Sequence, residues 1–568
     1  MDPEKHGQAV TMTADKAPAA TPVPGTMDER NSHDDAIRAG DSEMLGSNTN
    51  QNPNPHRYTD AGLQTRAAPP LLHPRDLRHR VQHHGPAAVD CVDADLFAAC
   101  GAGGDGLGWL LASIFITIVG LAMADLASAM PTAGGLYFWT HYFASEKWRN
   151  PLSFVVGYSN TIGLVGGVCS VDYSFALMLL SVISLARDGT WTASRPVVYG
   201  TYVACVATHG LIATFFGRIM PKIQAMCIFL NVGLVIATVI ALPIGNNVNH
   251  VPINSGSYVF GDVENLTSWP TGWAFMLAWL SPIWTIGAFD SCVHMSEEAT
   301  HASRAVPLGI VWSSGMCGVL GWVSLTVIAA VMDTKIGNIL GTSFGQPMAQ
   351  IYYDSLGKHG ALGFMAVVAV VQFFMGLSLV IAASRQSWAF SRDGALPFSR
   401  FLRHVSKRIR YQPVRMIWGV VTMSVILGLL CLINDAASNA LFSLAVAGND
   451  LAWGMPIFCR LMWGEKQGKF RPGEFYTGRW LSRPIAVTAI VYLVFAIVLS
   501  MFPTTGPDPS PKDMNYTIVI NGALWGGALL YYALFARKWF KGPKMTVGEE
   551  SPTSNVSAMA SQTKVDSR

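Results

Sequence analysis

Runs of roughly 20 apolar residues, the length a helix needs to cross a hydrocarbon core, recur along this chain between short polar stretches. They fall near 109–130, 152–184, 197–216, 223–243, 272–294, 308–332, 360–383, 414–433, 439–463, 484–503 and 516–536. The pattern predicts an all-α polytopic membrane protein with about eleven spans. Residues 1–61 are polar, rich in Asn, Asp, Thr and Pro, and hold no apolar core for a signal peptide. They are expected to form a disordered cytoplasmic tail, as are residues 541–568.

The fifth run differs from a plain anchor. Between Trp279 and Glu298 it carries Pro282, Gly287, Asp290 and His294. In hydrocarbon every backbone N–H and C=O needs a partner, so a helix is interrupted only where protein or a water-filled cavity lines the break. An acid inside a span is costly and marks a substrate or ion path. Pro282 and Gly287 together predict a broken helix here.

Composition agrees with the pattern. The chain is 51% hydrophobic and 13% charged, against about 25% charged in ordinary soluble domains. A formal net charge of +3 gives no ground for nucleic-acid binding. Nine cysteines sit mostly in apolar runs without metal-type spacing, as small core residues do. No nucleophile–base set or phosphate loop points to an enzyme, and no cofactor is expected.

Lys and Arg set the orientation. Arg385, Arg392, Arg400, Arg403, Lys407, Arg408, Arg410 and Arg415 crowd one loop, and Arg460, Lys466, Lys469, Arg471, Arg479 and Arg483 another. Loops on the opposite side carry few, which places the basic loops and the C-terminus in the cytoplasm. Asn265-Leu-Thr267 then lies outside as a glycosylation acceptor, and Asn555-Val-Ser557 inside.

Eleven spans with a cytoplasmic C-terminus would leave the N-terminus outside, although nothing in residues 1–60 could carry it across. One span is therefore missing before Trp109. The segment upstream cannot supply it, because Arg75, Arg78, Arg80, Asp90, Asp93 and Asp95 fall within one helix length. Each central Arg or Asp costs about 2.5–3.5 kcal/mol on insertion. A permitted codon choice for Leu77–Asp90, read one base forward, spells Phe-Gly-Ile-Ala-Phe-Ser-Ile-Met-Gly-Leu-Leu-Pro-Ser-Ile, an apolar helix broken at glycine. Residues 62–108 are accordingly expected to be an out-of-frame replacement of a first span, and to be irregular or poorly packed. The same reading turns His79, His83 and His84, which otherwise resemble a zinc helix, into frame-shifted codons.

The strings Pro131-Thr-Ala-Gly-Gly-Leu-Tyr-Phe-Trp139, Phe289-Asp-Ser-Cys-Val-His-Met-Ser-Glu-Glu-Ala299, Arg304-Ala-Val-Pro-Leu-Gly309, Ser384-Arg-Gln-Ser-Trp-Ala-Phe-Ser-Arg-Asp-Gly394 and Leu441-Phe-Ser-Leu-Ala-Val-Ala-Gly-Asn449 carry a family likeness. In order, over about 109–542, they resemble the fungal GABA and choline permease branch of the amino acid–polyamine–organocation superfamily, closest to the GABA permeases. The restored string is similar to that family's first span. The resemblance implies twelve spans in two inverted five-helix (LeuT-like) repeats, the first and sixth helices broken at a midplane site. It implies a transport domain over 109–540 in the plasma or vacuolar membrane.

What the likeness implies for single residues is narrower. The unwound segment of the sixth helix corresponds to Ile286, Gly287, Ala288 and Phe289. Trp284 and Phe289 would close over the ligand, either by cation–π contact or as plain packing. Asp290 would pair an ammonium, carry a coupling proton or lock the helix. Asp172 in the third span would be an amine partner or a structural hydrogen-bonder. Asn449 and Asp450 interrupt the tenth span, Asp450 standing where relatives often have Asn. Lys222 and Asn231 are weaker candidates for the place where sodium-coupled cousins hold an ion. No sodium ligand set is legible, so proton symport is the expectation by analogy. Glu297, Glu298 and Arg304 would form a solvated or gate-type salt bridge, and Gly134 and Gly135 would pack beneath the bundle.

The function this implies is import of GABA or a related small amino acid, proton-coupled, by alternating access. The rivals are a choline or other cationic-amine or polyamine permease, a nutrient sensor, and a transport-inactive product lacking its first span.

Overall fold

The computed structural model describes residues 101–543, apart from Arg218, 262–264, 266, 410–411, 504–505 and 507–513. The expected tails at 1–61 and 541–568 (apart from 541–543), the histidines at 79–84 and most of the displaced-frame segment lie outside these residues. Ten helices are long and apolar enough to span a membrane. In chain order they are α1 (Gly101–Ala129), α3 (Arg149–Ala186), α4 (Arg195–Phe215), α5 (Met220–Val248), α10 (Ala302–Val331), α12 (Pro347–Arg392), α14 (Val414–Leu427), α15 (Asp435–Cys459), α16 (Ser482–Leu499) and α17 (Thr517–Leu534). Short helices between them are α2 (Gly135–Phe143), α6 (Gly256–Gly261), α7 (Thr271–Leu277), α8 (Leu280–Thr285), α9 (Ser291–His294), α11 (Ile336–Leu340) and α13 (Ser399–Leu402). The run read as one span at 272–294 is α7, α8 and α9 in series; with the ten long helices it makes eleven crossings. No strand occurs among the described residues.

Two expected boundaries move. Residues 101–108 are regular helix continuous with 109–129, where irregular chain was expected, and Gly103, Gly104 and Gly108 are buried. The run at 360–383 extends to Pro347–Arg392, and Gly357 supplies the kink with φ +70°, a conformation that glycine adopts without a Cβ penalty.

Close approach at small residues builds the bundle, because lipid gives helices no hydrophobic reason to associate. The Trp109 indole lies against Gly321 and donates to Gly318 O (3.0 Å), which fixes α1 along α10. Gly163 of α3 and Gly448 of α15 meet backbone to backbone, and Ser159 Oγ donates to Gly448 O (2.7 Å). Phe390 of α12 fills the space beside Gly157 of α3. On the outside, α5 presents Phe229, Ile236, Ile240, Ile244 and Val248, an apolar face suited to lipid.

The turn at 130–134 and α2 sit at the end where the basic loops lie. Tyr137 Oη donates to Asp393 Oδ2 (2.8 Å), and Lys469 Nζ donates to Tyr142 O (3.1 Å). Gly135, with φ +41°, packs directly against Val293 of α9. At this end Arg460 and Asp125, both 1% exposed, pair at 3.4 Å. Thr477 Oγ1 (2.8 Å) and Ser482 Oγ (2.6 Å) also donate to the Asp125 carboxylate, and Ser482 Oγ accepts in turn from Arg460. Of the charges expected to pair at this end, Glu297 and Arg304 make no ion pair with each other among the described residues, and the Glu298 side chain lies outside them. On the other side, Asn265 Nδ2 donates to Trp269 O (2.6 Å), so the nitrogen a glycan would need is already engaged.

Candidate functional site

The fifth crossing is not one helix. α8 stops at Thr285, α9 starts at Ser291, and residues 286–290 between them are non-helical. The left-handed residue is Ala288 (φ +56°), not Gly287. Gly287 is needed for space, since a Cβ there would stand 2.8 Å from Trp284 O. The left-handed region costs a non-glycine residue about 1–2 kcal/mol, so the surrounding packing holds the break in place. Among the described residues the carbonyls of Thr285, Ile286 and Gly287 and the N–H groups of Ala288 and Asp290 carry no backbone hydrogen bond.

Beside the break lies a small cavity of about 30 Å³. α8 and the break supply Trp284, Thr285, Gly287 and Ala288; α3 supplies Leu164, Gly167 and Val171; α12 supplies Met375 and Leu379; α15 supplies Asn449, Asp450 and Trp453. Asp450 is the acidic member of this lining and is 2% exposed. Its Oδ2, Asn449 Oδ1 and Thr285 Oγ1 are buried without hydrogen-bond partners. Trp284 is fixed by donating Nε1 to Ser170 Oγ (3.1 Å) and by lying 5.0 Å from the Phe442 ring.

The residues singled out from sequence separate here. Trp284, Gly287, Ala288, Asn449 and Asp450 meet around the cavity. Ile286 and Phe289 are fully buried and outside the lining; Phe289 packs on Trp453 with ring centroids 4.4 Å apart. Asp290 also lies outside the lining, where Asn160 Nδ2 donates to its Oδ2 (2.9 Å) and His294 Nε2 meets the same oxygen at 3.3 Å. Asp172 turns away from the cavity that its neighbour Val171 lines, and meets His209 Nδ1 of α4 at 3.2 Å. Lys222 is exposed and Asn231 half-buried on α5, both away from the cavity. Asn160, His209 and His294 gave little signal as partners. Each is an isolated polar residue in an apolar run, and its partner lies on another helix or one turn away.

Asp172, His209 and Cys205 of α4 form a buried trio whose ligand atoms lie within 4.8 Å of one another. The hydrogen bond between Asp172 and His209 accounts for two of the three, and Cys205 Sγ stands 3.7 Å from His209 Nε2. All seven cysteines among the described residues are buried and unbridged.

Long apolar helices around one interrupted crossing, with a cavity at the interruption, define a multi-pass membrane transporter. The family model described as amino acid permease matches residues 94–524, starting inside the segment expected to be out of frame. The chain belongs to the amino acid permease family. It is 42% identical to the GABA-specific permease of Saccharomyces cerevisiae over 79% of each chain. It is 34% identical to an amino-acid permease of Schizosaccharomyces pombe, over 80% of this chain and 81% of that one. A candidate polyamine transporter of Candida albicans is 26% identical, over 82% of this chain and 84% of that one. The relatives are permeases rather than enzymes, and the substrate class is an amino acid or amine.

Proposed function

We propose that the protein imports a small amino acid carrying a terminal amine, with GABA the foremost case, in symport with a proton. The observation that carries this reading is Asp450: a buried carboxyl with an unpartnered oxygen in a cavity otherwise walled by apolar, aromatic and neutral polar groups. An ammonium entering there meets the carboxylate, the open carbonyls at the end of α8 and the Trp284 face. That combination suits a desolvated cation. It gives Asp450 the amine-binding role that the sequence left between Asp290 and Asp172. The relative named GABA-specific supports the amino acid assignment.

A specific observation also favours the second reading, a choline or polyamine permease. No Lys or Arg lines the cavity to receive a carboxylate. Under the first reading that role falls to a broken first span, which the inverted-repeat architecture calls for and which the segment before Gly101 would have to provide. We therefore retain the inference that a shifted reading frame has replaced it, now with 101–108 inside the transport domain, and that the chain as written transports poorly. Sequencing the transcript over this region checks the frame. Competition among labelled GABA, choline and spermidine for uptake into cells lacking their own permeases checks the substrate. Saturable GABA uptake blocked by neither amine supports GABA, whereas choline or spermidine uptake without GABA uptake would overturn it.

A further inference from the structure

Asp290 and His294 lie one turn apart on either side of the start of α9, and both side chains are fully buried. The hydrogen bonds fix where the protons are. His294 Nδ1 stands 3.2 Å from Ala133 O. A carbonyl oxygen only accepts, so Nδ1 carries a proton. Nε2 then faces Asp290 Oδ2 at 3.3 Å. With neither atom protonated, lone pair would face lone pair in a fully buried site. One further proton therefore sits between them, either on the imidazole opposite a carboxylate or on the carboxyl opposite a neutral imidazole. Both arrangements leave the pair with no net charge.

The surroundings make that proton hard to lose while the site is closed. Asn160 of α3 donates to the same Oδ2 (2.9 Å), and Asp290 Oδ1 has no partner. From α15 the group beside Asp290 is the neutral Trp453 indole, and the ionisable group in electrostatic reach of the carboxyl is His294 itself. Around it, α2 offers Tyr137, already bonded to Asp393 at the end of α12. Glu297 follows on the chain beyond α9, and Asp450 precedes Trp453 on α15. None of these is a cation that could take over the charge. Deprotonation would leave a net negative charge buried in the bundle, a penalty of several kcal/mol. Water has to reach the pair before the proton leaves.

The Ala133 bond decides which opening admits water. Ala133 belongs to the turn at 130–134, at the end where the basic loops lie, and this turn is held against α9 through Gly135 and Val293. Moving α9 away from the turn breaks the bond to His294 Nδ1 and exposes the pair on that side.

We propose that Asp290 and His294 together hold the coupling proton, and that separation of α9 from the 130–134 turn releases it on the side of the basic loops. This rests on the symport reading above and assigns its proton to a site distinct from the amine-binding Asp450. Trp453 lines the cavity together with Asp450, and Asp290 lies outside that lining.

The test uses His294→Gln, whose amide still donates to Ala133 O but cannot titrate, and Asp290→Asn. In proteoliposomes holding the full chain, labelled GABA is followed in two modes: accumulation driven by a pH gradient, and counterflow exchange without one. Both variants are expected to keep exchange within about threefold and to lose pH-driven accumulation by tenfold or more. Gradient-driven accumulation by His294→Gln at the unsubstituted level would overturn the proposal. So would equal loss of both modes at normal folded amount, which marks a purely structural role. Absence of GABA exchange in every protein, the unsubstituted chain and a frame-restored chain included, would instead count against the substrate assignment. A second readout needs no transport: ¹⁵N-histidine spectra in detergent, with His294→Gln identifying the signal. His294 is expected to show a proton on Nδ1, held by the Ala133 carbonyl. A signal with Nδ1 unprotonated would overturn the proposal by itself.

Discussion

Replacing Asp450 with asparagine keeps the shape of the side chain and removes its charge. The carboxyl is 2% exposed, one oxygen has no partner, and no other lining residue carries charge. Neither water nor a neighbour can therefore stand in for the lost interaction. A hydrogen bond to a charged group contributes about 1.5–3 kcal/mol, and 1.4 kcal/mol is tenfold in affinity. Asp450→Asn should therefore weaken binding of an amine substrate by roughly 10- to 150-fold. The check is the KM for labelled GABA uptake at matched surface expression. Ligand-induced thermal stabilisation in detergent measures the same loss without turnover, because stabilisation scales with the logarithm of ligand over Kd. Butyrate, which has the carboxylate and no amine, should bind the variant and the parent equally. A KM within threefold of the parent, in a protein of unchanged thermal stability, would refute Asp450 as the amine partner and with it the placement of the substrate beside α15.

Other outcomes follow from the same packing. Gly287→Ala puts a Cβ 2.8 Å from Trp284 O, a backbone atom that cannot rotate aside. Overpacking of this kind costs about 1–3 kcal/mol, so transport should fall by tenfold or more with folding preserved, measured as uptake against the amount of monodisperse protein. Arg460→Met leaves the Asp125 carboxylate buried without its cation. It should destabilise the protein by about 3–5 kcal/mol, seen as a lowered melting temperature, and Asp125→Asn in the same chain should recover part of the loss. Gly376→Ala places a methyl group against Asp172 Oδ1 and beside the His209 ring. It should lower thermal stability while leaving GABA affinity within about threefold, because neither Asp172 nor His209 lines the cavity; a large affinity loss would place that pair in the substrate path.

Much of the architecture was legible without coordinates, because a bilayer enforces it locally. A span must be long and apolar along its own sequence, and a break must carry its own cause in Pro282 and Gly287. Clusters of Arg and Lys mark one side for the same local reason. The start of α1 was misplaced because its first turns are glycine-rich: Gly101, Gly103, Gly104, Gly106 and Gly108 carry no apolar signal, yet small residues suit a helix that packs closely. The ten long spans, the interrupted fifth crossing and the basic face are thus properties of sequence alone. Which acid faces the substrate is not. Asp172, Asp290 and Asp450 all sit in apolar runs, and the rotation of each helix about its axis sends one to His209, one to His294 and one to the cavity. That rotation is set by contacts between distant glycines, such as Gly163 with Gly448, and by partners as far apart as Asp125 and Arg460. A side chain's direction around a helix carries no trace in its own neighbourhood of sequence, so only the packed bundle decided it.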